Sequence, residues 1–536
     1  MARGFARPWS ACVLVPLAGV AAGGGAVVFR WLIETTTRLL SGRTDPALHD
    51  GTAHPHAPWL GPYVALLVPV FGGLLYGPLV ARFAKGSRGH GVPDVMLAVE
   101  CNGGRIDPAV TGVKAWASAV TIGSGGSVGC VGPIVQIGSA LGSLLGRVTG
   151  VADGRVRLLV ACGAAGGVAA TLGTPLAGAL FAMELIIGVR SVRAFCATAT
   201  AGAAGAAIGH LAFGGAPLLS VPPFHADHIN QYLLLAALGL VAGVVGTGFT
   251  HALYLVEDVC NWAWRGPEWL RPAVGGVPLG LVLLVLPEMY GTGYPVLEKA
   301  AEGGYATRFL LLLLAGKVLA TSLTLGVGGA GGVFAPTLFV GTALGAAYGT
   351  ALNQLLPSTA GAVASYALVG MGTVFAATSG TPLTAAALLF ELTGQFSIVP
   401  PLAAGIALAL LTARLLSRNT IYTLKLRRQG VDFTTRSRRC AYGAGVSART
   451  PPVLTLPAST EVIEAARLLR LSPYGALPVL DAHGRCLGRL TTRAAADALA
   501  HLDNSKDTAP LTAGDLAHAN PSPLARCTGS QGWCHG

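Results

Sequence analysis

"TIGSGGSVGCVGPIVQIGSALG", Thr121 to Gly142, returns later in the chain as "TLGVGGAGGVFAPTLFVGTALG", Thr324 to Gly345, aligned without a gap. Thr121 falls on Thr324, Gly129 on Gly332, Pro133 on Pro336, Gly138 on Gly341 and Gly142 on Gly345, and upstream Lys114 falls on Lys317. A second pair follows, "AATLGTPLAGALFAMEL" against "AATSGTPLTAAALLFEL", which sets Thr174, Pro175 and Glu184 opposite Thr381, Pro382 and Glu391. The chain is a duplication, with halves at approximately residues 60–215 and 230–416. The first glycine-rich stretch contains no charged side chain. Glycine turns that cradle anions in enzymes normally have an ionisable residue close by, so the use of this one depends on the solvent around it.

Composition identifies that solvent. Charged residues are 11% and hydrophobic residues 52% of the chain, with 75 glycines, whereas soluble proteins carry about 25% charge. Apolar runs long enough to span a bilayer occur around Ala11 to Ile33, Trp59 to Val80 and Gln231 to Val256. Others, such as Phe309 to Leu325 and Leu402 to Leu416, are shorter or broken by Gly, Pro or a charge. The fold class expected is an all-α polytopic membrane protein. The N-terminal run, with Arg3 and Arg7 before it, has the form of a signal peptide, but it continues into "VVFRWLIE" as an ordinary helix does. The ten cysteines have no spacing pattern and read as free thiols, not as a disulfide frame or zinc site. Part of the net charge of +12 lies in "RLLSRNTIYTLKLRRQG" and "TTRSRR", after the last apolar run. A basic cluster there places the C-terminus in the cytoplasm by the positive-inside rule, in preference to a nucleic-acid patch.

Duplicated halves with Gly/Pro-interrupted segments at corresponding positions are the pattern of transport proteins, whose sites lie where broken helices point their N-termini inward. Helix N-termini offer unpaired N–H donors and partial positive charge. They bind an anion without a lysine, and weakly enough to release it. The alternative use of the glycines is close helix packing, as for small residues in membranes generally.

Three motifs stand together: "GHGVP" at Gly89 to Pro93, "GCVGP" at Gly129 to Pro133 and "GVFAP" at Gly332 to Pro336, followed by Tyr422 in "IYTLKLRRQG". In order and spacing, across approximately residues 10–430, they resemble the CLC family of chloride channels and chloride/proton exchangers. The resemblance implies two inverted-topology repeats of broken and tilted helices, and a homodimer in which each subunit has its own anion pathway. It places the backbone N–H groups of Val333 and Phe334 at a central anion site, with Gly129, Cys130, Val131 and Gly132 as the matching segment of the first half. Tyr422 falls on a tyrosine whose hydroxyl contacts the anion from the inner side; read without the family, it is an interfacial anchor. Lys114 corresponds to a buried lysine whose field favours anions. Glu184 and Glu391, at matched positions, read equally as functional groups or as buried structural partners.

The departures from the family pattern carry the functional reading. His90 stands where the family has serine or proline; its imidazole N–H can donate to chloride, and protonation would add a full charge. A histidine satisfied by a carbonyl and turned away from the anion is the alternative. The second motif normally reads Gly-Lys/Arg-Glu-Gly-Pro, with the glutamate serving as outer gate and proton carrier, but here Cys130 and Val131 occupy those places. The family's inner proton glutamate falls on Leu185, next to Glu184. Valine and leucine carry no proton, so coupled transfer has no visible route. The expected activity is passive chloride conduction. A proton-coupled exchanger with other carriers is the alternative.

After a basic linker at 431–445, residues 446–505 read strand, helix, strand, strand, helix, with Ser459 or Thr460 capping the first helix, and resemble a CBS domain. Such domains act in pairs that bind an adenine nucleotide in their cleft, but 506–536 holds only the beginning of a second copy. The incomplete pair speaks against nucleotide binding and for a role in dimer contact or stability. The chain has no His-Glu-x-x-His, and no Gly-x-Ser-x-Gly or Walker loop at a strand-to-helix turn, so no enzyme, metal site or organic cofactor is expected. The partners expected are chloride or other small anions, membrane lipid and a second copy of the chain, in the cell membrane, without nucleic acid.

Overall fold

The computed structural model describes residues 9–43, 47, 61, 63–83, 91–188, 191–214, 224, 229–357, 361–429, 456–471, 476–480, 486–491, 495, 498 and 512–513. His90, the linker 431–445 and most of 506–536 lie outside them. The chain divides into two compact units, Met1–Tyr442 and Gly443–Gly536.

The first unit is helical, and its helices come in two matched sets. The first set is α1 (Trp9–Ser41), α2 (Val64–Phe83), α3 (Gly91–Cys101), α4 (Pro108–Gly123), α5 (Val131–Val148), α6 (Asp153–Leu172), α7 (Pro175–Phe181) and α8 (Val192–Phe213). The second is α9 (Ile229–Ala263), α10 (Arg271–Val285), α11 (Tyr294–Ala301), α12 (Thr307–Gly326), α13 (Phe334–Leu355), α14 (Val363–Ser379), α15 (Pro382–Thr393) and α16 (Val399–Leu416), after which α17 (Ile421–Arg428) has no counterpart among the described residues. Packing repeats with the same registry: α1 lies on α4, α5, α6 and α8 as α9 lies on α12, α13, α14 and α16. The halves meet through matched elements, α2 on α10, α7 on α15 and α5 on α13. Among the described residues, eight helical segments are long and apolar enough to cross a membrane. α12 is one of them although it carries Lys317, because that side chain is fully buried and does not face lipid.

The repeated strings explain the helix boundaries. In "LGTP", Gly173 ends α6 in the left-handed conformation at φ 73°, and Pro175 opens α7 at its first position; in "SGTP", Gly380 (φ 75°) and Pro382 do the same for α14 and α15. In hydrocarbon, helices gain little from apolar burial and associate by close packing. A Cβ on Gly138 would meet the Gly163 carbonyl oxygen at 2.2 Å, and one on the matched Gly341 would meet the Gly370 carbonyl oxygen at 2.5 Å. Gly142 and Gly345 approach Leu159 and Tyr366 in the same way. These four glycines therefore serve helix packing, which fuses α5 to α6 and α13 to α14.

Of the described cysteines, Cys12, Cys130, Cys162, Cys196 and Cys260 are free, but Cys101 is disulfide-bonded, a correction to the all-thiol reading. Spacing could not reveal it, because tertiary contact decides which sulfurs meet.

In the second unit, β1 (Leu456–Pro457) pairs parallel to β2 (Ala476–Leu480), which pairs antiparallel to β3 (Cys486–Thr491), with α18 (Val462–Leu471) between β1 and β2. Leu456, Ala465, Leu469, Leu477, Val479 and Leu490 form its core. The Ala513 N–H donates to the Thr460 carbonyl at 2.7 Å, which ties the start of the second CBS-like segment to the start of the first.

Candidate functional site

Gly129 donates its N–H to the Gly332 carbonyl at 2.7 Å, and Gly332 donates back to the Gly129 carbonyl at 2.8 Å, forming an antiparallel bridge. Residues that bond their own repeat counterparts in both directions lie about a local twofold axis. The flanks obey it: the Ser127 N–H donates to Thr324 Oγ1 at 3.1 Å, and the Ala330 N–H to Thr121 Oγ1 at 3.4 Å. The turns that admit this crossing use Gly125 at φ 94° and Gly328 at φ 99°, where other residues are strained.

From this bridge the two helices depart. α5 starts at Val131 behind Cys130 and α13 at Phe334 behind Val333, and neither N-cap side chain makes a cap hydrogen bond. Their first-turn N–H groups, the positive ends of two helix dipoles, are left uncapped by those side chains. A Cβ on Gly132 would lie 2.8 Å from Gly332 Cα, so the backbones touch. One on Gly91, the first residue of α3, would lie 2.8 Å from both the Gly132 carbonyl oxygen and Gln136 Oε1. The starts of α3, α5 and α13 thus converge inside the protein, with Val131, Val333 and Phe334 no more than 2% exposed.

The other predicted residues are placed around this convergence. The Phe334 ring packs on Phe375 at 4.5 Å between centroids and edge-on to Phe181 at 6.2 Å. Tyr422 is buried on α17, which packs on α3 and on α14, the helix that carries Phe375. The start of α17 is fixed by a Thr420/Thr423 capping box and by the Tyr254 hydroxyl, which donates to the Ile421 carbonyl at 2.5 Å. Its far end is tied to α9 by Arg428, whose guanidinium grips Asp258 at 2.7 and 2.9 Å. Leu185 lies in a π-helical turn, Ala182–Ile187, that packs on α3. Lys114 is paired with Asp94, joining α4 to α3. Its counterpart Lys317 donates to the Gly291 carbonyl at 3.1 Å and lies 5.0 Å from the Phe339 ring centroid. His90 lies outside the described residues.

Two features go beyond what the sequence alone established. "GTGYP", Gly291 to Pro295, is the second-half echo of "GHGVP", and it opens α11 as the first opens α3. The echo is one residue out of register with the main repeat, which hid it. Glu184 and Glu391 each accept backbone N–H groups from the other half, at α15 and α7 respectively. Their shared position in the repeats was the available signal.

A sequence profile described as "Voltage gated chloride channel" matches residues 72–414, and a CBS domain profile matches 446–501. A putative chloride channel protein, ClcB-like, from Ralstonia nicotianae is 33% identical, over 78% of this chain and 96% of its own length. The H(+)/Cl(-) exchange transporter ClcA of Vibrio cholerae is 31% identical, over 78% of this chain and 90% of its own. Among solved structures, a slow cyanobacterial Cl-/H+ antiporter superposes with a TM-score of 0.68 at 25% identity, covering 80% of this chain and 99% of the antiporter. A eukaryotic CLC transporter superposes with a TM-score of 0.69 at 20% identity, covering 95% and 92%.

Proposed function

Because the chain belongs to the voltage gated chloride channel family and carries a CBS domain behind its membrane unit, we propose that it conducts chloride passively, without coupled proton movement. The observation that supports this reading is the buried meeting of the starts of α3, α5 and α13, with an aliphatic residue at each position where the resemblance expects a proton-carrying glutamate. Val131 is the first residue of α5 and is fully buried, and Leu185 occupies the π turn beside α3. Neutral dipoles and N–H groups attract an anion and let it leave, and the hydroxyl of Tyr422 is a neutral donor from the inner side. An aliphatic side chain neither imitates the permeating anion nor hands on a proton.

The subunit works as one half of a homodimer with an anion pathway in each copy, and the CBS domain lies in the cytoplasm. The second placement is supported by Arg414, Lys425, Arg427 and Arg428 at and beyond the end of the last apolar segment.

Purified protein in liposomes with a chloride gradient tests the reading. Chloride efflux and external pH are recorded together, with a potassium ionophore to carry the counter-charge. Efflux with no uphill proton movement is expected. Stoichiometric proton pumping would replace the reading with an exchanger.

A further inference from the structure

A cavity of about 260 Å³ meets the second motif at Cys130, and neither Phe334 nor Tyr422 lines it. Its wall is formed in part by α1, through Arg30 and Glu34, and by the "GTGYP" segment before and at the start of α11. The hydroxyls in this wall are mostly occupied. Thr37 donates to the Ile33 carbonyl at 2.8 Å, Thr171 to Gly167 at 2.8 Å and Tyr290 to Gly123 at 2.6 Å. Tyr294 differs: its hydroxyl is buried, with no hydrogen-bond partner, while the residue as a whole is 6% exposed. The Cys130 thiol is its polar neighbour in the wall. A buried hydroxyl without an acceptor is unfavourable, so a ligand that accepts its proton has a prepared donor.

Charge fixes the sign of that ligand. Arg30 is within electrostatic reach of both Tyr294 and Cys130. Its guanidinium stacks on the Phe213 ring at 4.2 Å, and its Nε donates to Glu34 at 3.1 Å. This i,i+4 contact uses only the Nε–H, which leaves the other N–H donors of the guanidinium for an anion. The cavity combines a held cation with an unused neutral O–H donor, next to a motif position where the sequence has lost a basic side chain.

We propose that this cavity is an accessory anion site, in which Arg30 and the Tyr294 hydroxyl receive a small monovalent anion before it reaches the bridged helix starts. The proposal rests on the anion-conducting reading, and it names residues that the family motifs do not include.

Cys130 provides a readout independent of conduction. The full-length protein in detergent is treated with iodoacetate, an anion, or with iodoacetamide, its neutral near-isostere, and the modification rates at Cys130 and at the exposed Cys196 are followed by mass spectrometry. The iodoacetate-to-iodoacetamide rate ratio is expected to be severalfold higher at Cys130 than at Cys196. Arg30→Gln removes that excess, Arg30→Lys keeps it and Glu34→Gln increases it. Excess chloride, compared with gluconate, slows iodoacetate at Cys130 in the wild type but not in Tyr294→Phe. A ratio at Cys130 that ignores residue 30, chloride protection that survives Tyr294→Phe, or a Cys130 that neither reagent reaches would overturn the proposal. A protein that labels as expected yet passes no chloride in liposomes would overturn the conduction reading and leave this site standing.

Discussion

Glu391 accepts the N–H groups of Leu176 and Ala177 at 2.8 and 2.7 Å, and Glu184 returns the contact by accepting those of Leu383 and Thr384 at 3.0 and 2.9 Å. Each carboxylate caps the proline-led start of a helix in the opposite half. There it satisfies donors that would otherwise be orphaned, and it meets the positive end of the helix dipole. These glutamates fasten the two halves together.

Removing one cap should therefore destabilise the protein without closing the pathway. Glu391→Ala is expected to cost about 1–2 kcal/mol, read as a lowered denaturation midpoint in detergent, with chloride flux per folded protein unchanged. Glu391→Gln keeps a carbonyl acceptor and should lose less. A flux that collapses while the midpoint holds would give Glu391 a place in conduction.

The bridged glycines make the opposite prediction. A methyl group on Gly132 has to enter the 2.8 Å approach to Gly332 Cα, whereas one on Gly24 meets nothing within 4 Å. Gly132→Ala should abolish or severely reduce chloride flux by forcing the two helix starts apart. Gly24→Ala should conduct normally and gain about 0.5–1 kcal/mol from helix propensity. Measuring both in the same liposome assay separates loss of the site from general sensitivity to added bulk.

Restoring the missing carboxylate at the start of α5 should introduce a gate. In Val131→Glu the side chain competes with the anion for the uncapped N–H groups while it is ionised, so flux at neutral pH is expected to fall on the order of tenfold, equivalent to ~1.4 kcal/mol. Acidification neutralises the carboxylate and should restore flux. A variant as fast as the wild type at every pH would show that Val131 does not border the pathway.

His90 is expected to give the wild type an acid-activated component. Imidazole titrates near pH ~6.5 in its ordinary state, and the charge added below that pH attracts anions, so chloride flux should rise as pH falls through this range. His90→Ser should flatten the profile and shift the anion preference. An unchanged pH profile and unchanged selectivity would remove His90 from the site.

What the sequence disclosed depended on how far apart the interacting groups lie along the chain. The gapless match of 121–142 to 324–345 already pairs Gly129 with Gly332, and the structure joins that pair by two hydrogen bonds. Stop and start signals were equally local: "GTP" fixes the boundaries of α7 and α15 through glycine geometry and a proline at the first helical position. The glycine stretch held two functions that the sequence could not separate. Gly129 bonds Gly332 and Gly132 packs against it, while Gly138 and Gly142 seat α6. Telling them apart requires knowing which backbone lies opposite. The exchange between Glu184 and α15, the unpaired hydroxyl of Tyr294 and the disulfide at Cys101 also depend on long-range neighbours, which no local periodicity encodes.

The reciprocal pair of hydrogen bonds between Gly129 and Gly332 also bears on origins. Thr121 and Thr324 cross in the same reciprocal manner, as do Glu184 and Glu391 through their backbone N–H contacts, so these contacts across the axis come in mirrored pairs. Self-complementary contacts of this kind are what two identical polypeptides make when they associate face to face. A gene encoding a single half would already have specified every one of these mirrored ties.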